Sequence, residues 1–403
     1  MSRPLEQARA HFDEGLAHFG AGRLQAAAES FEAALQLAPG RPSVLGNLGI
    51  TLFRLGRLQR ATDILQQAVQ ADPAHAEARV CLGLAHELLG HWEAAAEALE
   101  RGLVDFDAGA GAWLALGRAL GRSGRLNDAL RALDHAVAQE EYLAEAWSVR
   151  GNVLRDMGRL QEAAESFRRA IDAGADPELH RYYLAASQGD TVVAPPRCFV
   201  ESLFDEYSAD FDEHLVDKLG YRGHEQLLQP LLDKGRRYRH ALDLGCGTGL
   251  CGALMASHAD AVDGVDLSAA MLQQARKRGA YRRLAHDDLT SFLAAQQDSA
   301  DLVVAADVFI YVGALHEVFA QVRRVLAPDG VFAFTLERAT TAQGFQLLPT
   351  LRYAHSEDYV RSLAAQHGLS VIDIVTAGLR ADQAETLQAL YVYLQPDGHE
   401  RTV

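Results

Sequence analysis

Ala241-Leu242-Asp243-Leu244-Gly245-Cys246-Gly247-Thr248-Gly249 is a short apolar run that passes into a loop where every second residue is glycine, and Leu250 to about Ser257 then reads as a helix. A strand ending in such a turn brings backbone N–H groups close to a ligand, because glycine accepts positive φ and has no Cβ in the way. The stretch predicts an α/β domain built around a nucleotide-like ligand, cradled by Gly245, Cys246, Gly247 and Gly249.

Gly247-Thr248-Gly249-Leu250-Cys251-Gly252 also satisfies the G-x-G-x-x-G dinucleotide pattern. Asp243 argues against that ligand. A carboxylate at the end of the strand faces and repels a pyrophosphate, which a helix N-terminus alone would attract. It suits a zwitterionic sulfonium that carries an ammonium group and no phosphate. The segment from Asp243 to Gly249 closely resembles motif I of class I S-adenosylmethionine (SAM) dependent methyltransferases. The resemblance implies SAM as cofactor and S-adenosylhomocysteine as product, with the acid and the loop holding the methionine portion. It also implies a Rossmann-like domain with a seven-stranded, mostly parallel sheet.

Strand and helix alternate after the loop. Ala261 to Asp266 reads as the second strand, and Asp266 at its end has the bidentate acceptor geometry that two ribose hydroxyls need. Met271, at the start of the next helix, packs on the adenine face or serves as core. Arg283 to His286 is a third strand; in the family an acid that follows lies near the adenine amino group, a role open to Asp287 or Asp288, one of which is equally suited to capping a helix. The resemblance places Leu267, Leu289 and Ala306 beside the cofactor as well. Val200, Leu203, Phe204, Tyr207, Phe211 and Leu215 form an apolar stripe whose opposite face is acidic. That acidic face reads as solvated surface. Similar stretches cover the cofactor in small-molecule methyltransferases, which makes Tyr207 and Phe211 lid candidates.

Asp301 to Ala306 is apolar after its first residue, as a strand buried on both faces should be. Substrate belongs outside the carboxyl ends of this fourth strand and the fifth, Val331 to Leu336. Asp307, Tyr311 and Glu337 lie there, and Arg352-Tyr353-Ala354-His355-Ser356 adds polar and basic groups, with Tyr221 a further substrate-binding candidate. His355 reads as a general base or as a surface histidine capping the helix from Glu357. Two last strands, Ser370 to Val375 and Ala389 to Leu394, suit a hairpin, one of them antiparallel. No Asn-Pro-Pro-Tyr or Asp-Pro-Pro-Tyr follows the fourth strand, which counts against amino methylation of nucleic-acid bases or glutamine amides.

The first part of the chain repeats itself. Glycine recurs every 34 residues at Gly15, Gly49, Gly83, Gly117 and Gly151, again at Gly22, Gly56, Gly90, Gly124 and Gly158, and alanine at Ala27, Ala61, Ala95, Ala129 and Ala163. Four residues after each alanine stands a large apolar residue, Phe31, Leu65, Leu99, Leu133 or Phe167. This resembles the tetratricopeptide repeat (TPR), in five units. Each unit reads as a helical hairpin: small residues where helices approach, and a left-handed glycine ending the first helix. Phe12, Leu16, Phe19, Ile50 and Phe53 are inner-face candidates, either for a peptide or protein partner or for docking on another surface of the protein. The expected division is a solenoid over 1–178, a linker over 179–199, a helical lid or cap over 200–236 and the methyltransferase domain over 237–396.

The formal net charge of −16 over 403 residues excludes a general nucleic-acid or anionic-membrane surface. Cys81, Cys198, Cys246 and Cys251 show no C-x-x-C spacing, which fits reduced thiols rather than a disulfide framework or a metal site. With no apolar leader or long apolar run, a cytoplasmic protein is expected. Taken whole, the chain resembles predicted methyltransferases with N-terminal TPR repeats, a group that defines a reaction and not an acceptor. The competing expectation is an interaction scaffold whose methyltransferase-like domain binds SAM without turnover.

Overall fold

The computed structural model describes residues 3–207, 220–233, 235–340, 344–382 and 385–398. The chain divides into two compact units, Met1–His180 and Arg181–Val403.

The first unit is five helical hairpins: α1 (Arg3–Gly20) with α2 (Leu24–Leu37), α3 (Pro42–Arg54) with α4 (Leu58–Ala71), α5 (Ala76–Leu88) with α6 (Trp92–Gly102), α7 (Ala110–Arg122) with α8 (Leu126–Gln139), and α9 (Ala144–Asp156) with α10 (Leu160–Asp172). The first glycine series sets the helix spacing. A Cβ at Gly15, Gly49, Gly83, Gly117 or Gly151 would lie 2.5 to 2.6 Å from Phe31, Leu65, Leu99, Leu133 or Phe167 respectively. Those large residues and the recurring alanines are fully buried. The second glycine series takes φ between 71° and 75°, the left-handed end of each first helix. The expected apolar groove is mostly taken up by the repeat core. Leu16 is 40% exposed, but Ile50 is buried, and Phe12, Phe19 and Phe53 pack half-buried against the same cluster.

Residues 179–199 are not the plain linker that the sequence suggested. α11 (Pro177–Gln188) runs through them, and α12 (Arg197–Tyr207) begins before they end. The Asp176 carboxylate accepts the Leu179 N–H at 2.8 Å, and Pro177 opens the helix with the φ it already prefers. Tyr182, Ala185 and Ala186 are buried in the second unit with Leu347, Leu351 and Tyr353.

The second unit continues with α13 (Gly223–Leu232), β1 (Tyr238–Leu244), α14 (Leu250–Met255), β2 (Ala259–Asp266), α15 (Ala269–Arg278), β3 (Arg283–His286), α16 (Leu289–Ala294) and β4 (Ala300–Ala305). A 3₁₀ turn over Phe309–Tyr311 leads to α17 (His316–Val325), β5 (Leu326–Arg338), β6 (Phe345–Leu347), β7 (Tyr353–His355), α18 (Glu357–Gln366), β8 (Leu369–Asp382) and β9 (Glu385–Pro396). Among the described residues the sheet has nine strands rather than seven, in the order β3-β2-β1-β4-β5-β7-β6, with β9 beside β5 and β8 beside β9. β9 is antiparallel to both neighbours, so the expected hairpin is present. The two extra strands, β6 and β7, form a short hairpin. β9 occupies one edge of β5 up to Glu337, so β7 pairs with Glu337 and Arg338 on the edge that β4 leaves after Phe334. The hairpin therefore stands at the carboxyl end of β4. Phe292, Phe309, Phe319, Phe332 and Phe334 fill one face of the sheet, and Leu227, Leu228, Tyr238, Met255 and Tyr391 the other. Among the described residues no helix is long and apolar enough to cross a membrane.

Candidate functional site

β1 lies between β2 and β4, so strand order reverses there and a crevice opens at the carboxyl ends. The glycine loop after β1 lines it. Gly245 has φ +65°, and a Cβ on it would lie 2.6 Å from Val308, in the segment after β4. Gly247 has φ +53°, and a Cβ there would meet nothing within 4 Å. That is the open side of the cradle. Cys246 is buried against Gly264 as a small filler, and burial pushes its thiol up.

Asp266 ties this loop to the end of β2. One carboxylate oxygen accepts the Gly247 N–H and the other the Ser268 N–H, both at 2.8 Å. A carboxylate oxygen takes more than one donor, so both remain able to accept hydroxyls. Burial raises its pKa, and these N–H bonds oppose the rise. Ser268 also caps α15, accepting the Met271 N–H, and donates its hydroxyl to Asp205 of α12 at 2.6 Å. Phe204 of α12 meets Tyr311 edge-on at 5.1 Å. α12 is thereby tied to the segment after β2 and to the segment after β4. The side chains of Tyr207 and Phe211, the expected lid residues, lie outside the described residues.

Asp243, which the sequence offered to the ammonium group of the cofactor, is buried at the end of β1. It is 1% exposed, and its Oδ2 accepts the Tyr281 hydroxyl at 2.6 Å. Burial raises its pKa to about 7, with the Tyr281 and Gly252 hydrogen bonds pulling the other way. The carboxylate is occupied inside the protein, by the Tyr281 hydroxyl and the Gly252 N–H.

The adjacent acids separate. Asp288 caps α16, its Oδ1 accepting the N–H groups of Thr290 at 3.0 Å and Ser291 at 2.9 Å, and its pKa lies at about 2, burial notwithstanding. Asp287 is tied to the end of β2, its N–H reaching the Asp266 carbonyl at 3.3 Å. Met271 is wholly buried, as a core residue is; Leu289 packs against the core, Ala306 is half-buried, and the Leu267 carbonyl bonds the His286 ring at 2.8 Å.

After β4, Asp307 holds φ +58° and its N–H donates to Thr335 Oγ1 at 2.7 Å. A non-glycine residue in the left-handed region is strained, and such strain clusters at functional sites. Glu337 and Arg352 form a buried pair, 3.3 Å apart. Three expected roles are corrected. His355 is fully buried, with Nε2 2.8 Å from the Gly313 carbonyl. Burial lowers its pKa to about 4, so it is neither a solvent-facing base nor a cap; Ser356 caps α18 instead. Tyr353 is core between Tyr182 and Phe345. Tyr221 is buried and stacks on His224. β6 and β7, which the sequence did not announce, bury this segment.

Tyr281 was missed, and Asp205, read with the acidic face as solvated surface, instead accepts the hydroxyl of Ser268, the N-cap that the sequence did indicate for α15. Gly252 and Gly264 signalled a close neighbour, but nothing local says which side chain it is.

Residues 242–334 match the methyltransferase-domain family, and 18–79 and 114–178 match tetratricopeptide-repeat families. The chain is 34% identical over 142 residues to a malonyl-[acyl-carrier protein] O-methyltransferase of Geobacter sulfurreducens, covering 34% of this chain and 52% of that protein. It is 31% identical over 129 residues to a trans-aconitate 2-methyltransferase of Paracidovorax citrulli, covering 32% and 45%. The chain thus spans about half the length of the relatives it matches. Among solved structures, the N-methyltransferase NodS of Bradyrhizobium japonicum, in complex with S-adenosylhomocysteine, superposes with a TM-score of 0.41 at 18% identity, covering 49% of this chain and 98% of that one.

Proposed function

Since the chain carries a methyltransferase domain behind tetratricopeptide repeats, we propose that it is a SAM-dependent methyltransferase. The observation that carries this reading is Asp266, which braces the open Gly247 turn and keeps acceptor capacity at the end of β2. The residues fit the cofactor. A Cβ-free, left-handed turn, a ribose acid and a nearby adenine-side acid, Asp287, stand together at the carboxyl ends of β1, β2 and β3. When bound, SAM supplies an electrophilic methyl group on its sulfonium, and transfer to the acceptor leaves S-adenosylhomocysteine.

The chain's own contribution is alignment and exclusion of water. Holding donor and nucleophile in attack geometry is worth ~7 to 11 kcal/mol, so no base is obligatory. Asp266 holds the ribose and α12 covers the crevice through Asp205 and Phe204. Asp307 and Tyr311 stand at the acceptor side. The Asp307 backbone is set by Thr335, which fixes where its carboxylate begins.

The relatives are named for malonyl on an acyl carrier and for trans-aconitate. These names support a small or carrier-bound acid as acceptor, with an oxygen as the methylated atom. The tetratricopeptide unit serves to recruit the acceptor or the protein that presents it. The test is methyl transfer from labelled SAM to a panel of free and carrier-bound acids, with the full chain and with Asp266→Ala. Label in an acid that depends on Asp266 is the expected result. Bound cofactor with no labelled product in any panel or lysate would leave a SAM-binding scaffold.

A further inference from the structure

Tyr281 lies in the turn between α15 and β3, and three glycines are shaped around its ring. A Cβ at Gly249 would lie 3.1 Å from the ring and one at Gly264 2.8 Å from it, and one at Gly252 would run into its Cζ and hydroxyl. Gly252 sits in a helix and Gly264 in a strand, neither with a positive φ. Backbone freedom does not account for them; the ring does. The third glycine of the apparent dinucleotide pattern is therefore a seat for Tyr281.

The hydroxyl carries the contact further. It donates to Asp243 Oδ2 at 2.6 Å, and Asp243 also accepts the Gly252 N–H in the first turn of α14. Arg278, in the last turn of α15, donates Nε to the Thr248 carbonyl at 2.7 Å. The cofactor loop is thus clamped from below at Thr248, Gly252 and Asp243. The titratable groups facing Asp243 are Tyr281, Asp266, Cys246 and Cys251, none of them cationic.

We propose that Tyr281 is the positioning residue of the cofactor loop, acting through Asp243, and that Asp243 is an anchor for this clamp and not the counter-ion of the cofactor's ammonium group. The inference rests on the SAM reading of the crevice. A loop held this way presents its open turn in one shape, so its loss weakens every ligand that uses the crevice, whether or not the ligand has an amino-acid arm.

The experiment uses the full chain and two ligands, S-adenosylhomocysteine and methylthioadenosine; the second keeps adenine, ribose and thioether but lacks the amino-acid arm. Tyr281→Phe and Asp243→Asn should each weaken both ligands by the same factor, on the order of tenfold for one lost hydrogen bond. A selective loss of S-adenosylhomocysteine in Asp243→Asn would assign Asp243 to the ammonium and overturn the proposal. So would unchanged binding of both ligands to Tyr281→Phe. Backbone hydrogen exchange over 245–252 gives a ligand-free readout: faster exchange confined to the loop in Tyr281→Phe is expected, and unaltered exchange refutes the clamp. If the wild type binds neither ligand, the SAM reading falls and the exchange result alone decides the clamp.

Discussion

Removing the Asp266 carboxylate separates cofactor binding from folding. In Asp266→Ala, the Gly247 and Ser268 N–H groups each lose an acceptor at 2.8 Å. Asp266 is only half-buried, so water can replace it, and each loss is worth about 1 kcal/mol, the low end for an unsatisfied donor. The variant also escapes the desolvation cost of a carboxylate whose pKa burial has raised. The folding change is therefore small, within about 2 kcal/mol. Binding changes more. Two ribose hydroxyls lose a charged acceptor, and at about 1.5 kcal/mol each, the low end for such a bond, the loss is about 3 kcal/mol, a factor of roughly 150 in Kd. Calorimetric titration of S-adenosylhomocysteine into both proteins, with thermal melts confirming the fold, measures this. A change under threefold in a folded variant would sink the assignment of Asp266 to the ribose.

Asp287→Ala should weaken S-adenosylhomocysteine binding, whereas Asp288→Ala should lower stability by about 1 kcal/mol, as lost helix caps do, and leave binding almost unchanged; titrations paired with denaturant melts distinguish the two, and the reverse pattern would exchange their roles. In the repeats, Gly117→Ala forces a methyl group to within 2.5 Å of Leu133 and should cost about 1 to 3 kcal/mol by overpacking. Gly111→Ala, with nothing within 4 Å, should be neutral or stabilising, and chemical denaturation of the full chain compares them. His355 is neutral when folded, its pKa lowered to about 4, so the unfolded chain binds the extra proton first and stability falls as pH drops from about 6.5 towards 4. His355→Gln should flatten that slope and leave the pH dependence of methyl transfer unmoved; an altered activity profile would restore His355 as a base.

Different parts of the molecule were legible to different depths. The repeat was readable to the residue because its determinants are local and periodic: one glycine ends each first helix, and another faces a large residue 16 positions on. The loop after β1 was readable where backbone conformation demands a residue type, at Gly245, Gly247 and Gly249, all with positive φ. Helix α11 was missed because its start rests on a single acid and a proline, with weak periodicity behind them. Arg352, Tyr353 and His355 were read as open and polar because three-residue strands carry too little pattern to betray that they add a hairpin to a sheet.

What the sequence alone determined is the set of local obligations: a left-handed turn that only glycine enters cheaply, a 34-residue period that packs only as hairpins, and an acid at the end of a buried strand. Tertiary structure alone decided which groups share an environment. Asp243 and Tyr281 are 38 residues apart, Glu337 of β5 meets Arg352 just before β7, and Asp205 reaches Ser268 from a different helix. Charge state, exposure and hydrogen-bond partner depend on atoms a few ångströms away in space, and the fold sets those distances without leaving a local trace in the chain.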